Sequence, residues 1–404
     1  MIHSSQKKDG SSILQKWIAP LTTDDFFSQF WEKKPLVLTD RKSNCFTNIL
    51  TLKDVDFLLS SLNSSVGFYK PIKWVRFVNN KKELKLDDYL QNESDFLNMD
   101  KVLAGFASGN TIVLNRLQHR WESVWKICHE LEEALGHFVS ANMYLSPENA
   151  QGFDAHYDPH DVFILQLEGE KLWKIYPERI AFPTGFGDTP FIQPLSPPIH
   201  ELHLKSGDLL YIPRGWVHAA STAKKHSLHL TVGVHVLTWL DLIAEIATTD
   251  ISLRQAIPKE FILQEQKTEQ GLSGRLQALT NLFENEQIVK ESIQKLQKKF
   301  TDKRTPSLSG YLTTFSDAGH VSEKTLIHRK GEKWQIEKMD DKLAIHFNGV
   351  KVRVPVVTES LMEYMSNTRE FFVYELPGPI PLKDKIEIVR TLMKSGLLTV
   401  APFH

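Results

Sequence analysis

Between Ser140 and Val236 short apolar runs follow one another, separated by glycine, proline and aspartate turns. They are Ser140 to Leu145, Ala155 to Tyr157, Asp161 to Leu167, Lys171 to Tyr176, His200 to Leu204, Leu209 to Ile212 and Ser227 to Val236. Runs of this length, broken at this rhythm, predict an antiparallel barrel or sandwich.

Two stretches inside this succession carry chemistry. His156 and Asp158 stand two residues apart before a Phe-Ile-Leu-rich run, so on an extended strand both side chains project from one face. Together they can grip one ion. Further on, Gly207-Asp208 reads as a tight turn, Leu209 to Ile212 as a buried strand, and Pro213-Arg214-Gly215 as a second turn that delivers His218. A single histidine beside an aspartate is more often a hydrogen-bonded pair than a metal site. The conjunction of His156, Asp158 and His218 with Gly152, Gly207, Pro213 and Gly215 favours the metal, because turn chemistry, strand pattern and donor type agree. Two histidines and one carboxylate with open positions form the facial triad of non-haem iron oxygenases, and these nitrogen and oxygen donors suit Fe(II) or Mn(II).

Composition removes several classes of function. With 24% charged residues, a formal net charge of -1 and a pI near 7.0, the chain has no general pull toward nucleic acid or an anionic membrane. Its two cysteines, Cys45 and Cys128, form no CxxC pair, so neither a disulfide framework nor a structural zinc site is expected. A reducing compartment follows, cytoplasmic, or nuclear if the source is eukaryotic. The N-terminus lacks an apolar core of signal-peptide length, and the apolar run from Leu228 to Ile246 is interrupted by His229, His235, Asp241 and Glu245, against a membrane span.

Outside the strand-rich stretch the texture is mixed. The first ten residues are polar. Thr22-Thr23-Asp24-Asp25 is a helix-start signal before the aromatic segment Phe26 to Trp31, and Lys34 to Leu38 leads into a strand. Leu52 to Leu62, Leu86 to Asp100 and Trp121 to Phe138 are helical candidates; Trp74 to Val78 and Thr111 to Leu114 are strand-like. The Pro-rich stretch Phe182 to Pro198 is a candidate rim or lid loop. From Thr238 helices dominate: Trp239 to Ala247, Pro258 to Gln264 and Gly271 to Phe300. Their apolar stripes are satisfied equally by an intrachain bundle or by pairing across a dimer axis. After Thr305 to Gly310, short strands (Trp334 to Glu337, Lys342 to Phe347, Lys351 to Val354) alternate with helices (Thr358 to Met365, Lys383 to Ser395) in a small winged-helix-like pattern.

On these motifs the chain resembles the JmjC branch of the cupin superfamily, specifically the ribosomal oxygenases. The resemblance rests on Phe26 to Leu36, Asn142-Met143-Tyr144, the run from His156 to Trp173, and Gly207, Pro213, Gly215 and His218 in the spacing of the second cupin motif. It extends to the helical insert and the terminal domain. It implies an α+β chain: a double-stranded β-helix barrel over residues 1–237, a helical dimerisation region over 238–299 and a winged-helix domain over 300–404. It implies that His156, Asp158 and His218 hold Fe(II), that 2-oxoglutarate and O2 are consumed, and that Lys171 binds the far carboxylate of 2-oxoglutarate. Read alone, a lysine after Gly169-Glu170 is an exposed hairpin residue; the resemblance reverses that reading. Asn142 and Tyr144 are further cosubstrate candidates, with Thr231 a weaker one. Where some relatives carry a serine on the last strand, this chain has Gly233. Arg116, Gln118, His119 and His160 are candidates for the mouth of the site, with Arg116 and His160 as substrate contacts; His226, His229 and His235 are read as hydrogen-bonding groups. The implied function is hydroxylation of a histidine or arginine side chain of a ribosomal protein by a homodimer, without direct nucleic-acid binding. The alternatives are an oxygenase acting on another peptide or protein, methyl-lysine demethylation included, and a non-catalytic metal-binding scaffold.

Overall fold

The computed structural model describes residues 12–42, 44–62, 74–79, 82–91, 97–151, 154–184, 196–222, 224–257, 259–262, 269–304, 310–330, 334–347 and 350–401. Gly152, the first ten residues, most of the expected Phe182 to Pro198 rim loop and most of the Thr305 to Gly310 boundary lie outside them. The chain divides into two compact units, residues 1–236 and 237–404.

The N-terminal unit opens with α1 (Ile13–Ile18) and α2 (Thr23–Gln29). Thr22 starts α2 with a capping box: its hydroxyl accepts from the Asp25 N–H while the Asp25 carboxylate accepts from the Thr22 N–H. There follow β1 (Leu36–Leu38), α3 (Leu52–Leu62), β2 (Val75–Asn79), β3 (Lys82–Glu83), α4 (Met99–Ala107), β4 (Thr111–Leu114) and α5 (Glu122–Leu135). The helix expected over Leu86 to Asp100 is instead a 3-10 turn at Leu86–Tyr89, with α4 starting later because the Asn98 side chain caps it through Lys101 N–H. α5 ends at Gly136, whose φ of 72° suits glycine, so Phe138 begins the next strand rather than closing the helix.

That strand, β5 (Phe138–Ser146), is followed by β6 (Asp161–Glu178), β7 (His200–Lys205), β8 (Leu209–Ile212), β9 (Trp216–Ser221) and β10 (Ser227–His235). The ladders are antiparallel, in the order β1-β8-β6-β10-β5-β4-β2-β3, while β7 and β9 flank the second half of β6. β6 therefore belongs to two sheet faces at once. The two strands expected there are one continuous 18-residue strand. Gly169 turns it with φ of 69°, beside a register shift in β10; a Cβ there would fall 1.9 Å from the His226 carbonyl oxygen. Ala155 to Tyr157 forms no strand. His156 makes a lone bridge to His218, and Pro159, lacking an N–H, prevents a ladder from extending past Asp158. Conversely, His218 sits within β9, a strand the turn reading did not anticipate.

Strand alternation sorts the side chains. Val139, Ala141, Met143 and Leu145 of β5 and Leu228, Leu230, Val232 and Val234 of β10 enter the main apolar core with the α5 residues Val124, Cys128 and Leu131. Their neighbours Asn142, Tyr144, His229 and Thr231 face the other way, into a cavity.

The C-terminal unit contains α6 (Trp239–Ala247), α7 (Lys259–Ile262), α8 (Glu269–Glu284), α9 (Glu286–Lys303) and α10 (Tyr311–Ala318), then β11 (Leu326–Arg329), β12 (Gln335–Lys338), β13 (Lys342–Phe347), β14 (Val350–Pro355), α11 (Glu359–Asn367), β15 (Glu370–Phe372), α12 (Leu382–Lys394) and β16 (Leu398–Val400). The single helix expected over Gly271 to Phe300 is two, because the Asn285 side chain accepts from the N–H groups of Gln287 and Ile288 and starts α9 afresh. Two three-stranded sheets, β15-β11-β16 and β12-β13-β14, share a core that includes Ile327, Leu343, Ile345, Leu361 and Leu392.

Candidate metal centre

The three sequence-selected donors converge. His156 Nε2 lies 4.0 Å from Asp158 Oδ1, His218 Nε2 lies 3.5 Å from Asp158 Oδ2, and the ligating atoms all fall within 4.8 Å of one another. The backbone fastens them. His156 N–H donates to the His218 carbonyl at 3.1 Å, His218 N–H returns the bond at 2.8 Å, and Gly215 N–H donates to the Asp158 carbonyl at 3.0 Å. The imidazoles are oriented too: His156 Nδ1 faces the Asp154 carbonyl at 2.7 Å and His218 Nδ1 the Trp216 carbonyl at 3.1 Å. A carbonyl can only accept, so Nδ1 carries the proton in each ring and Nε2 presents its lone pair to the centre.

The electrostatics agree with a cation site. Burial pushes the His218 pKa down to about 4, keeping the ring neutral. Burial alone would raise the Asp158 carboxyl, yet His160, His218, His156 and His235 around it hold it below the ordinary carboxylate range. His156, Asp158, His160 and His218 border a cavity of about 310 Å³ that also takes in Asn142, Tyr144, Lys171, Trp173, His229 and Thr231.

Lys171 is no hairpin surface residue. It is 3% exposed, its Nζ donates to Ser146 Oγ at 3.0 Å, and desolvation brings its pKa down to about 7. Thr111 Oγ1 donates to the same Ser146 oxygen at 2.9 Å. Tyr144 stacks on His229 with centroids 4.9 Å apart, and burial raises its phenol to about 12. His229 Nδ1 and Trp173 Nε1 are buried without a hydrogen-bond partner among the described residues, and both residues line the cavity. Such orphaned groups, beside a buried amine, fit a polar ligand in this space.

The weaker candidates separate. Thr231 lies opposite Asn142 in the β10–β5 register and lines the cavity. Arg116 does not line it: in a left-handed conformation with φ of 51°, its N–H donates to Asn142 Oδ1 at 2.9 Å. Gln118 is buried, its Oε1 accepting from Ala141 N–H, and thus braces the strand instead of the mouth. His160 does line the cavity, stacked on His235 at 4.7 Å, and His235 in turn meets Ser140 Oγ at 2.9 Å. Gly233 explains that position: a Cβ there would lie 2.5 Å from the His160 ring. Sequence reasoning overlooked Trp173, Ser146 and Thr111. The period-two spacing Asn142, Tyr144, Ser146 and Lys171, Trp173 is the signal that would have found the first two.

An antiparallel double sheet with two of these donors just before β6 and the third in β9 is the JmjC/cupin fold, and residues 114–242 match the JmjC domain family. Bovine ribosomal oxygenase 2 is 32% identical over 291 residues, 68% of this chain and 61% of that protein. The bifunctional lysine-specific demethylase and histidyl-hydroxylase NO66 of Culex quinquefasciatus is 27% identical, covering 94% of this chain and 65% of its own length. Among solved structures, the Escherichia coli ribosomal oxygenase YcfD in complex with cobalt and 2-oxoglutarate matches with a TM-score of 0.54 at 14% identity, over 95% of this chain and 99% of that one. The chain carries a JmjC domain over residues 114–242 and is similar to the ribosomal oxygenases in sequence and in fold. It spans less than two thirds of the length of either curated relative.

Proposed function

We propose that this chain is an Fe(II)- and 2-oxoglutarate-dependent oxygenase that hydroxylates a histidine or arginine side chain of a ribosomal protein. The observation that carries the reading is the meeting of His156, Asp158 and His218 in one cavity with the buried amine of Lys171. A scaffold that merely bound a metal has no use for a desolvated amine in the same space.

Iron held by His156, Asp158 and His218 would supply activation of dioxygen coupled to oxidative decarboxylation of 2-oxoglutarate. The protein's own part is positional. The Nδ1–carbonyl bonds fix the two imidazoles, and Lys171, backed by Ser146, offers a cation to the far carboxylate. Tyr144, Asn142 and Thr231 supply hydroxyl and amide groups on the same cavity face, while Val162 and Ile164 keep one wall apolar and dry. His160 borders the triad on the side proposed for substrate. Names of relatives support the substrate class: ribosomal oxygenase in one group, demethylase and histidyl-hydroxylase in another.

We further propose a homodimer formed through residues 238–299 and a winged-helix-like role for residues 300–404. Trp239, 81% exposed, and Leu276, 53% exposed, support the first; the packing of α10, α11 and α12 around a small sheet supports the second.

The test is incubation of purified chain with Fe(II), 2-oxoglutarate and ribosomes, followed by peptide mass mapping. The expected result is a gain of one oxygen on one ribosomal peptide, absent with His156→Ala. Loss of a methyl group from lysine would move the assignment to demethylation. No turnover of 2-oxoglutarate with any extract would refute both.

A further inference from the structure

Behind the metal-binding face lies a buried charge network that the proposed reaction does not itself use. Asp161, the first residue of β6, is completely buried. Its Oδ1 accepts from the Arg214 backbone N–H at 3.0 Å and from the Tyr211 hydroxyl at 3.2 Å, and its Oδ2 accepts from Arg214 Nη1 at 2.9 Å. The other arm of the guanidinium pairs with Glu32, which lies in the segment between α2 and β1. Glu32 takes a left-handed backbone conformation with φ of 57°, and its N–H donates to the Tyr211 oxygen at 2.9 Å. Trp31, its neighbour, stacks on Tyr211 with centroids 5.9 Å apart.

The placement of this network in the chain gives it a mechanical meaning. Asp161 lies three residues after the proposed ligand Asp158, and Arg214 four residues before the proposed ligand His218. One carboxylate therefore joins the two stretches that carry the triad, through both the backbone and the side chain of Arg214. With so few residues between clamp and ligands, a shift at the clamp is passed to the 3.5 Å separation of Asp158 and His218. A forked guanidinium bridging two carboxylates has geometric demands that an ammonium cannot meet.

We infer that Glu32, Asp161 and Arg214 are positioning residues: they hold Asp158 and His218 in ligating geometry before any metal arrives, and the N-terminal segment is thereby part of the metal site. This rests on the triad being a metal site. The experiment titrates full-length protein with Mn(II), followed by electron paramagnetic resonance, and records the visible bands of the Co(II)-loaded protein. Glu32→Gln and Arg214→Lys keep the side-chain size and are the main variants; Asp161→Asn is the severe one. The expected outcome is a fall in Mn(II) affinity of about ten- to a hundredfold, the range for lost outer-shell support, with altered Co(II) bands and unchanged circular dichroism. Lys126→Ala, which breaks an exposed ion pair with Glu122 on α5, retains wild-type Mn(II) affinity. Wild-type affinity and Co(II) bands in folded Glu32→Gln and Arg214→Lys would overturn the inference while leaving the proposed function intact. Failure of the wild-type protein itself to bind Mn(II) would overturn both.

Discussion

At the scale of single residues, burial decides chemistry that spacing only suggests. Lys171 titrates near 7 because the cavity strips its water, while His229 is held well below its ordinary value and Tyr144 rises to about 12. Between pH 7 and 9 only the amine among these three changes charge. A carboxylate brought beside it favours the ammonium, so binding of 2-oxoglutarate takes up a proton above pH 7, and the dissociation constant increases with pH, approaching tenfold per unit. Calorimetry of the Mn(II)-loaded protein in buffers of different ionisation enthalpy measures that proton; Lys171→Arg, permanently charged, flattens the slope. Gly233 makes a second residue-level case. Gly233→Ser adds a side chain whose Cβ collides with His160, which must leave its stack on His235. The expected result is perturbed 2-oxoglutarate binding that His160→Ala partly relieves in the double variant; additive effects would show the two positions to be uncoupled. The donors His156, Asp158 and His218 were legible in the sequence, because ligand type and turn glycines are local properties. Thr111 was not, since nothing local marks which strands will face each other.

At the scale of elements, turns carry more of the site than strands do. Gly215 adopts φ of 85° between Arg214 and Trp216, and a Cβ there would stand 1.9 Å from the Ile180 carbonyl oxygen. Gly215→Ala therefore forces the Pro213–Trp216 turn to move, with a cost of at least about 1–3 kcal/mol. Chemical denaturation together with Mn(II) titration checks this: stability and metal affinity fall together, because the same turn bonds to the Asp158 carbonyl. Element identities were largely readable, as with Lys342–Phe347, found where alternation placed it. The failures have local causes. Gly169 lets β6 run on where a turn was expected, Asn285 cuts one helix into two, and Pro159 stops the His156 segment from becoming a strand. In each case a single residue overrode a periodic pattern.

At the scale of the whole molecule, the two units have separate apolar cores, and the proposed metal donors all belong to the first. Saturation with Mn(II) and 2-oxoglutarate is expected to raise the thermal transition of residues 1–236 alone, each ligand stabilising them by about 2.7 kcal/mol when it reaches 100 times its dissociation constant. Differential scanning calorimetry with and without chelator reads this; an equal shift of both transitions would show the units to unfold as one. The sequence by itself determined the candidate donor set, the antiparallel strand class and the passage from strands to helices near Thr238, since these depend on residue type and short-range periodicity. Only the tertiary structure decided that Lys171 is buried on Ser146, that His160 fills the space left by Gly233, and that Glu32 reaches Arg214 and Tyr211 from far along the chain. Those facts depend on which strand faces which, and registers between distant segments are set by packing the whole core rather than by any stretch within it.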